Sequence, residues 1–384
     1  MGPLMKRGRH TLAVHSAREF PGPSTPIAPP LTLASVHRFG DLESLTAASR
    51  GEAAPWGFYR RYGHANGRQL EETVAALEGA EDALACASGM SAALVIVSTL
   101  TGKGDRVVAA RDLYGGTRSF LARETARRGV EVEFRPLEEI ERGVPAGTRL
   151  VLVETISNPL VRVADLERVV RNARRAGALL VVDNTFATPF LCRPLEWGAD
   201  VVYHSGTKLL NGHGDAVSGI VCGAAGPIRL MRKFAISVGA TISPMDAWLT
   251  LRGLKTLGVR VARACENAAR MASFLARHPK VIRVHYPRTG RILGRHRGTI
   301  LSFELRGGLR AASRFFRACR LIALAPSLGD VTTTSSHPAR SSHAYLSEEE
   351  RTAMGVTDGL VRLSAGLEDA EDLLEDLSRA LAKA

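Results

Sequence analysis

Three near-continuous aliphatic runs govern what this chain can fold into: Leu150-Val151-Leu152-Val153, Leu179-Leu180-Val181-Val182 and Val201-Val202-Tyr203-His204. A strand that is apolar at successive positions has no face to offer water, so its sheet must be covered on both sides. Parallel strands also need long crossovers, and helices supply both the crossover and the cover. The segment 166–176, between the first two runs, has the composition of such a helix. The runs therefore predict an α/β fold built on a large, mostly parallel sheet. Ligands of such sheets sit beyond the carboxyl ends of the strands.

The same alternation extends in both directions. Leu70, Val74 and Leu77 recur at helical spacing, with Glu71 and Glu72 between them and Gly79 behind, which predicts an amphipathic helix. Further strands are expected at 83–87, 106–109, 130–134 and 219–222, and helices from Ser88 and over 117–128. From about residue 250 the pattern shifts to a long helix over 259–277, strands at 281–286 and 300–305, and helices over 309–319 and 370–382. That is a smaller C-terminal α/β domain. Residues 1–55 read as irregular, with Pro21, Gly22, Pro23, Pro26, Pro29 and Pro30; they suit a loose leader or an arm on a neighbouring subunit equally. The expected division is an arm to residue 55, a large domain over 56–250 and a small domain over 251–384.

Composition narrows the function classes. The net charge of +13 comes mostly from arginines scattered along the chain, with no basic block and no aromatic-basic interleaving, so no nucleic-acid partner is expected. Cys86, Cys192, Cys222, Cys265 and Cys319 are odd in number and contain no Cys-x-x-Cys, which argues against a disulfide framework or a zinc site and for a reducing cytoplasm. The basic start MGPLMKRGRH is not followed by an apolar segment, and no run is long enough for a membrane helix, so neither a signal peptide nor a membrane location is expected.

The chemistry lies where the strands end. The run at Val201 stops at Ser205-Gly206-Thr207-Lys208, followed by Asn211-Gly212-His213-Gly214. A lysine there can condense with an aldehyde while the two hydroxyls hold a phosphate. The run at Leu179 ends in Asp183, a carboxylate placed to meet a ring cation. These residues suggest pyridoxal 5′-phosphate (PLP), an electron sink that needs a lysine, a partner for its ring nitrogen, a phosphate cup and a carboxylate clamp for the substrate. Ala87-Ser88-Gly89-Met90-Ser91 is a strand-to-helix turn whose amides suit a phosphate. Tyr114, before Gly115-Gly116, is either a packed turn residue or a ring that stacks on a flat cofactor. Arg362, between Val361 and Leu363, is either a solvated strand residue or a fork for a carboxylate.

In combination these motifs resemble the Cys/Met-metabolism (trans-sulfuration) family of PLP enzymes. The resemblance runs from Thr11 to the last helix through Tyr59-Arg60-Arg61-Tyr62-Gly63, Leu77-Glu78-Gly79, Ala87-Ser88-Gly89-Met90, Tyr114-Gly115-Gly116-Thr117, Glu154 with Ser157-Asn158-Pro159, Val182-Asp183-Asn184-Thr185-Phe186, Ser205-Gly206-Thr207-Lys208, Ser327-Leu328-Gly329 and Val361-Arg362-Leu363-Ser364. It implies the PLP-dependent transferase fold of type I, aspartate-aminotransferase-like. It further implies that Lys208 carries the cofactor and shuttles protons, Asp183 pairs the ring nitrogen, Tyr114 stacks on the ring and assists as acid/base, and Asn158 meets the ring hydroxyl. Gly89, Met90, Ser205 and Thr207 would hold the phosphate. Tyr59 and Arg61 would reach the phosphate of a neighbouring subunit in a homo-oligomer, usually a dimer of dimers. Arg362 would bind the substrate carboxylate, helped by the backbone at Ser327.

The chain also departs from the family pattern. It has His64-Ala65-Asn66 where Asn-Pro-Thr is common, Gly206 for the usual alanine, and Asn211 where glycine is common. Cystathionine-specific members often carry acidic residues where this chain has Phe58 and Thr332, and methionine γ-lyases usually have a cysteine at Gly116. The expected activity is γ-elimination on an L-homocysteine-type amino acid (cystathionine, methionine or homocysteine), giving 2-oxobutanoate, ammonia and a thiol. The alternatives are γ-replacement on a homoserine ester and a non-catalytic, PLP-binding regulatory protein.

Overall fold

Seven strands make the larger sheet: β1 (Asp82–Cys86), β2 (Arg106–Ala110), β3 (Glu131–Arg135), β4 (Thr148–Glu154), β5 (Leu179–Asp183), β6 (Val201–Ser205) and β7 (Gly219–Gly223), in the order β1-β7-β6-β5-β4-β2-β3. The structure is a computed structural model that describes residues 7–16, 26–50, 57–288, 290–294 and 296–384. Strands β2 to β6 pair in parallel, and β7 runs antiparallel to both its neighbours. The aliphatic runs that predicted the sheet are buried at every position but Leu179, as covered parallel strands require. The PLP-dependent type I fold is the observed architecture, mixed only at β7.

The helix Ala65–Glu78 lays Leu70, Val74 and Leu77, all fully buried, against this sheet. His64 starts it: its Nδ1 accepts the Gly67 amide at 3.0 Å and its Nε2 bonds the Ile242 carbonyl at 3.1 Å. Asn66 holds the preceding segment, accepting from the Thr32 amide at 3.0 Å and donating to the Pro30 carbonyl at 2.8 Å. The departure at 64–66 is thus a cap and a clamp.

A second sheet, β8 (Val281–His285), β9 (Ile300–Leu305), β10 (Ala323–Leu324), β11 (Thr334–Ser336) and β12 (Leu360–Ser364), has the order β10-β11-β12-β9-β8. The helices Gly308–Ala318 and Ala370–Lys383 cover it, with Phe303, Phe315, Leu373 and Leu377 at the centre of that core. The helix Leu257–Leu275 serves both cores: Leu257, Val261 and Cys265 face the first, and Ala268, Met271 and Leu275 the second.

Two expectations need correction. Residues 1–55 are not wholly irregular, because Arg9–His15 and Leu42–Ser49 are helices. Asp41 caps the second by accepting the Ser44 amide at 2.7 Å, and the first packs on this chain's own large sheet region through Ala13 and the His10–Phe190 ring contact. Pro21, Gly22 and Pro23 lie outside the described residues. The helix expected from residue 117 begins at Gly115, before the first good helix former, and passes through a π turn at Leu121–Thr125. A side chain at Gly115 would collide with the Ser342 carbonyl and the Tyr345 ring, so the glycine belongs to the packing and not to a loop. Of the two readings of Arg362, its burial excludes the solvated strand residue. Among the described residues no helix is long and apolar enough to cross a membrane.

Candidate active site

Beyond the carboxyl ends of β4, β5 and β6 lies a cavity of about 480 Å³. Lys208 and Asp183 line it, as do Tyr114, Asn158 and Arg362. Gly89, Met90, Ser205 and Thr207 close one end. Residues from both sheets therefore converge on one space, at the place parallel α/β architecture reserves for ligands.

Lys208 donates from Nζ to the Ser327 hydroxyl at 2.9 Å. Burial, with a further contribution from the Arg362 cation, lowers the pKa of its amine below the ordinary lysine value. A more readily deprotonated amine is the nucleophilic form. The turn carrying Lys208 is fixed from behind. Arg260 donates to the carbonyls of Leu209 (2.8 Å), Leu210 (3.2 Å) and Gly253 (2.8 Å). Gly329 has a positive φ of 76°, and a side chain there would meet the Leu209 amide at 2.7 Å. Gly206 has the same kind of reason: a Cβ would stand within 2.5 Å of Ile220 Cδ1 and closer still to the Ser218 hydroxyl.

Asp183 is held by Thr185, whose amide donates to its Oδ1 at 2.9 Å. Burial raises its pKa, while the Thr185 donors, the adjacent Tyr203 hydroxyl and His204 pull it the other way. Asp183 forms no ion pair among the described residues. A part-buried carboxylate without a cation, facing a cavity, fits the protonated nitrogen of a pyridine ring.

At the other end, the helix Gly89–Leu100 begins in a capping box formed by Ser88 and Ser91, which presents its first amides to the cavity. The turn is so close to β6 that a Cβ on Gly89 would lie 2.8 Å from that of Ser205. The Thr207 hydroxyl accepts from the Ser218 amide at 3.0 Å, which sets its place at the rim. Small residues, two hydroxyls and a helix N-terminus make a cradle for a phosphate.

Arg362 donates to Asn158 Oδ1 at 2.9 Å and to the Ser327 carbonyl at 3.1 Å. Desolvation lowers its pKa to about 10, still a cation at neutral pH. Tyr114, 45 % exposed, stands at the cavity wall. Gly116 lies behind it: a Cβ there would meet the Tyr114 ring at 2.6 Å and Met90 Sδ at 3.1 Å.

Four predicted residues are elsewhere. Phe58, Tyr59 and Arg61 border a separate cavity of about 270 Å³ with Phe39 and Tyr62. There Arg61 donates to the Ile236 carbonyl at 2.9 Å, and the Phe58 and Tyr62 rings meet edge-on at 5.4 Å. Thr332 is exposed on a loop, its amide bonded to Asp330 Oδ1 at 2.9 Å. Conversely, the first cavity is also lined by residues to which the sequence assigned no role, among them Glu154, Tyr203, Thr185 and the Ser341-Ser342 segment. Glu154 and Tyr203 had a signal, since each is a polar group at or near the end of an apolar strand.

Lysine, isolated carboxylate, phosphate cradle and guanidinium together fit PLP. The comparisons agree. The family model for Cys/Met metabolism PLP-dependent enzymes matches residues 10–382. An L-methionine gamma-lyase of Pseudomonas putida is 40% identical over 387 residues, 97% of each chain. An O-succinylhomoserine sulfhydrylase of Pseudomonas aeruginosa is 40% identical over 88% of this chain and 86% of its own. Among solved structures, a cystathionine gamma synthase from Xanthomonas oryzae pv. oryzae, in complex with aminoacrylate and cysteine, superposes with a TM-score of 0.90 at 35% identity, covering 99% of both chains. This chain belongs to the Cys/Met-metabolism family of PLP-dependent enzymes.

Proposed function

We infer that the protein is a PLP-dependent carbon–sulfur lyase that performs γ-elimination on an L-homocysteine-type amino acid, with 2-oxobutanoate, ammonia and a thiol as products. The observation that carries the reading is the convergence of Lys208, Asp183 and Arg362 on one cavity, in a chain 40% identical to a methionine γ-lyase over 97% of its length. Bound there, PLP supplies an electron sink that stabilises negative charge on the substrate carbon next to nitrogen. Arg362 binds the substrate carboxylate as a fork. Lys208, with its lowered pKa, takes and returns protons at Nζ, and the Tyr114 hydroxyl is the second acid/base at the wall.

Methionine-like substrates are favoured over cystathionine by what surrounds the cavity. Its carboxylates, Glu154 and Asp183, lie deep at the strand ends, and neither Phe58 nor Thr332 supplies another for a distal ammonium. A panel of methionine, homocysteine, cystathionine and O-acylhomoserine with and without cysteine tests this, with oxoacid and thioether both measured. Thioether formation exceeding oxoacid release would assign a replacement enzyme.

The active unit on this reading is a homo-oligomer. Among the described residues, the cations lining the cavity are Lys208 and Arg362, and the phosphate cradle has none of its own. Tyr59 and the exposed Arg61 are available to a neighbouring subunit's cradle, and residues 1–55 then act as an arm beside the large (56–250) and small (251–384) domains. The five free cysteines, four of them buried, support a cytoplasmic setting.

A further inference from the structure

Glu154 and Asp183 occupy the last positions of two neighbouring parallel strands and are partners in register. Residues paired in this way point to the same side of a sheet, and both side chains line the cavity. Two carboxylates this close, with Glu154 buried and Asp183 open only in part, do not both ionise readily without a cation between them. Among the described residues neither has an ion-pair partner. Asp112 adds a third buried carboxyl nearby, which makes a second negative charge costlier still.

Their hydrogen bonds differ. Asp183 receives the amide and hydroxyl of Thr185, with Tyr203 and His204 on β6 at its other side. These groups favour its ionised form. Glu154 receives the Tyr114 amide at Oε1, at 2.6 Å, with the Asn158 amide also near. Its Oε2 is buried and has no hydrogen bond. An unpartnered buried carboxylate oxygen is costly, whereas a carboxylic acid has an O–H to give.

We propose that Glu154 is a positioning residue that works as a neutral carboxylic acid: one oxygen anchors the Tyr114 amide, the other holds a proton, and Asp183 alone keeps the negative charge for the ring cation. Burial, then the charge of Asp183, push the Glu154 carboxyl well above the ordinary range, in keeping with this geometry. The assignment rests on the cavity being the PLP site. It explains how two adjacent acids serve different ends: Asp183 is electrostatic, and Glu154 sets the position of Tyr114.

The test compares E154Q, E154L and D183N holoenzymes by PLP affinity, by the pH dependence of the visible cofactor band, and by kinetics. Glutamine reproduces a carboxylic acid's acceptor and donor, so E154Q should retain PLP affinity and the midpoint of the spectral titration within about threefold of wild type. E154L should keep PLP but lose about 10- to 100-fold in kcat, with KM little changed, because Tyr114 loses its anchor. D183N should weaken PLP binding and move the titration midpoint to lower pH, since the ring nitrogen and lysine lose their counter-charge. The infrared spectrum of the wild type should show a protonated carboxyl band that is absent from E154Q and present in D183N. An E154Q enzyme that behaves like D183N, or a wild type without that band, overturns the proposal. Unchanged PLP binding in D183N would instead overturn the placement of PLP in this cavity.

Discussion

Lys208 Nζ stands 2.9 Å from the Ser327 hydroxyl, and the carbonyl of the same serine accepts from Arg362 at 3.1 Å. One residue, Ser327, therefore contacts both the Lys208 amine and the Arg362 guanidinium, the groups proposed to move protons and to bind substrate. Burial of the amine, and after it the Arg362 cation on the same wall, explains why Lys208 gives up its proton more readily than a free lysine.

That shared wall makes apoprotein stability depend on pH. A lysine whose folded pKa is depressed binds fewer protons when folded than when unfolded, so stability rises with pH between the lowered folded value and the unfolded value near 10.5. Below the folded pKa the penalty is present in full. Apo Lys208→Met should melt above apo wild type at pH 7, and the gap should narrow as pH approaches 10 in parallel thermal scans. A gap that widens with pH would contradict the assignment. The same variant should lack the cofactor's lysine-linked absorbance and all turnover.

Arg362→Ala removes the proposed carboxylate fork and strands Asn158. We expect kcat/KM to fall at least 10- to 100-fold, on the scale of about 1.5–3 kcal/mol for a charged hydrogen bond, mostly through KM. Arg362→Lys should recover little, because an ammonium cannot reproduce the planar fork. Steady-state kinetics on methionine and on its decarboxylated amine checks this; the amine should be indifferent to both changes.

Gly116→Cys places a side chain where the Tyr114 ring and Met90 already sit. The ring must tilt. PLP should remain bound, the circular dichroism of its visible band should change, and the ratio of kcat/KM for methionine over cystathionine should shift by about tenfold, the worth of roughly 1.4 kcal/mol. An unchanged dichroic band would show that the ring did not need to move.

Gly206→Ala should destabilise the protein by about 1–3 kcal/mol through overpacking against Ser218 and Ile220. Adding Ser218→Gly and Ile220→Val should return most of that loss in denaturant titrations. The departure from the family's usual alanine is then a matter of neighbours.

A shared active site predicts complementation. Lys208→Ala and Arg61→Ala should each be inactive alone. Unfolded together and refolded, they should regain activity at about a quarter of the sites, since a mixed dimer has one site with both residues intact. No recovery, with mixed dimers demonstrated by mass, would place Arg61 outside the neighbour's site.

The parallel core was legible because Val151, Val181 and Val202 sit in runs that only a doubly covered sheet can bury. Lys208 and Asp183 were legible for a related reason, since a polar residue that abruptly ends such a run lies at the ligand edge. What stayed hidden depended on tertiary neighbours. Nothing near Arg362 in sequence announces Asn158, its partner 204 residues away. Nor does local pattern reveal that β7 runs backwards between β1 and β6. Glu154 was legible as a polar residue closing an apolar strand, but its pairing with Asp183 arises only in the folded sheet. Ser243-Pro244, by contrast, is a legible helix start that was passed over; it opens the helix Pro244–Leu254.

The bond between Arg362 on β12 and Asn158 beyond β4 ties the smaller sheet to the larger. A substrate carboxylate that engages this guanidinium must share it with, or take it from, the amide that fastens the two sheets. On the proposed reading, substrate occupancy and the seating of one sheet on the other are coupled, because the residue assigned to the substrate carboxylate is also the clasp.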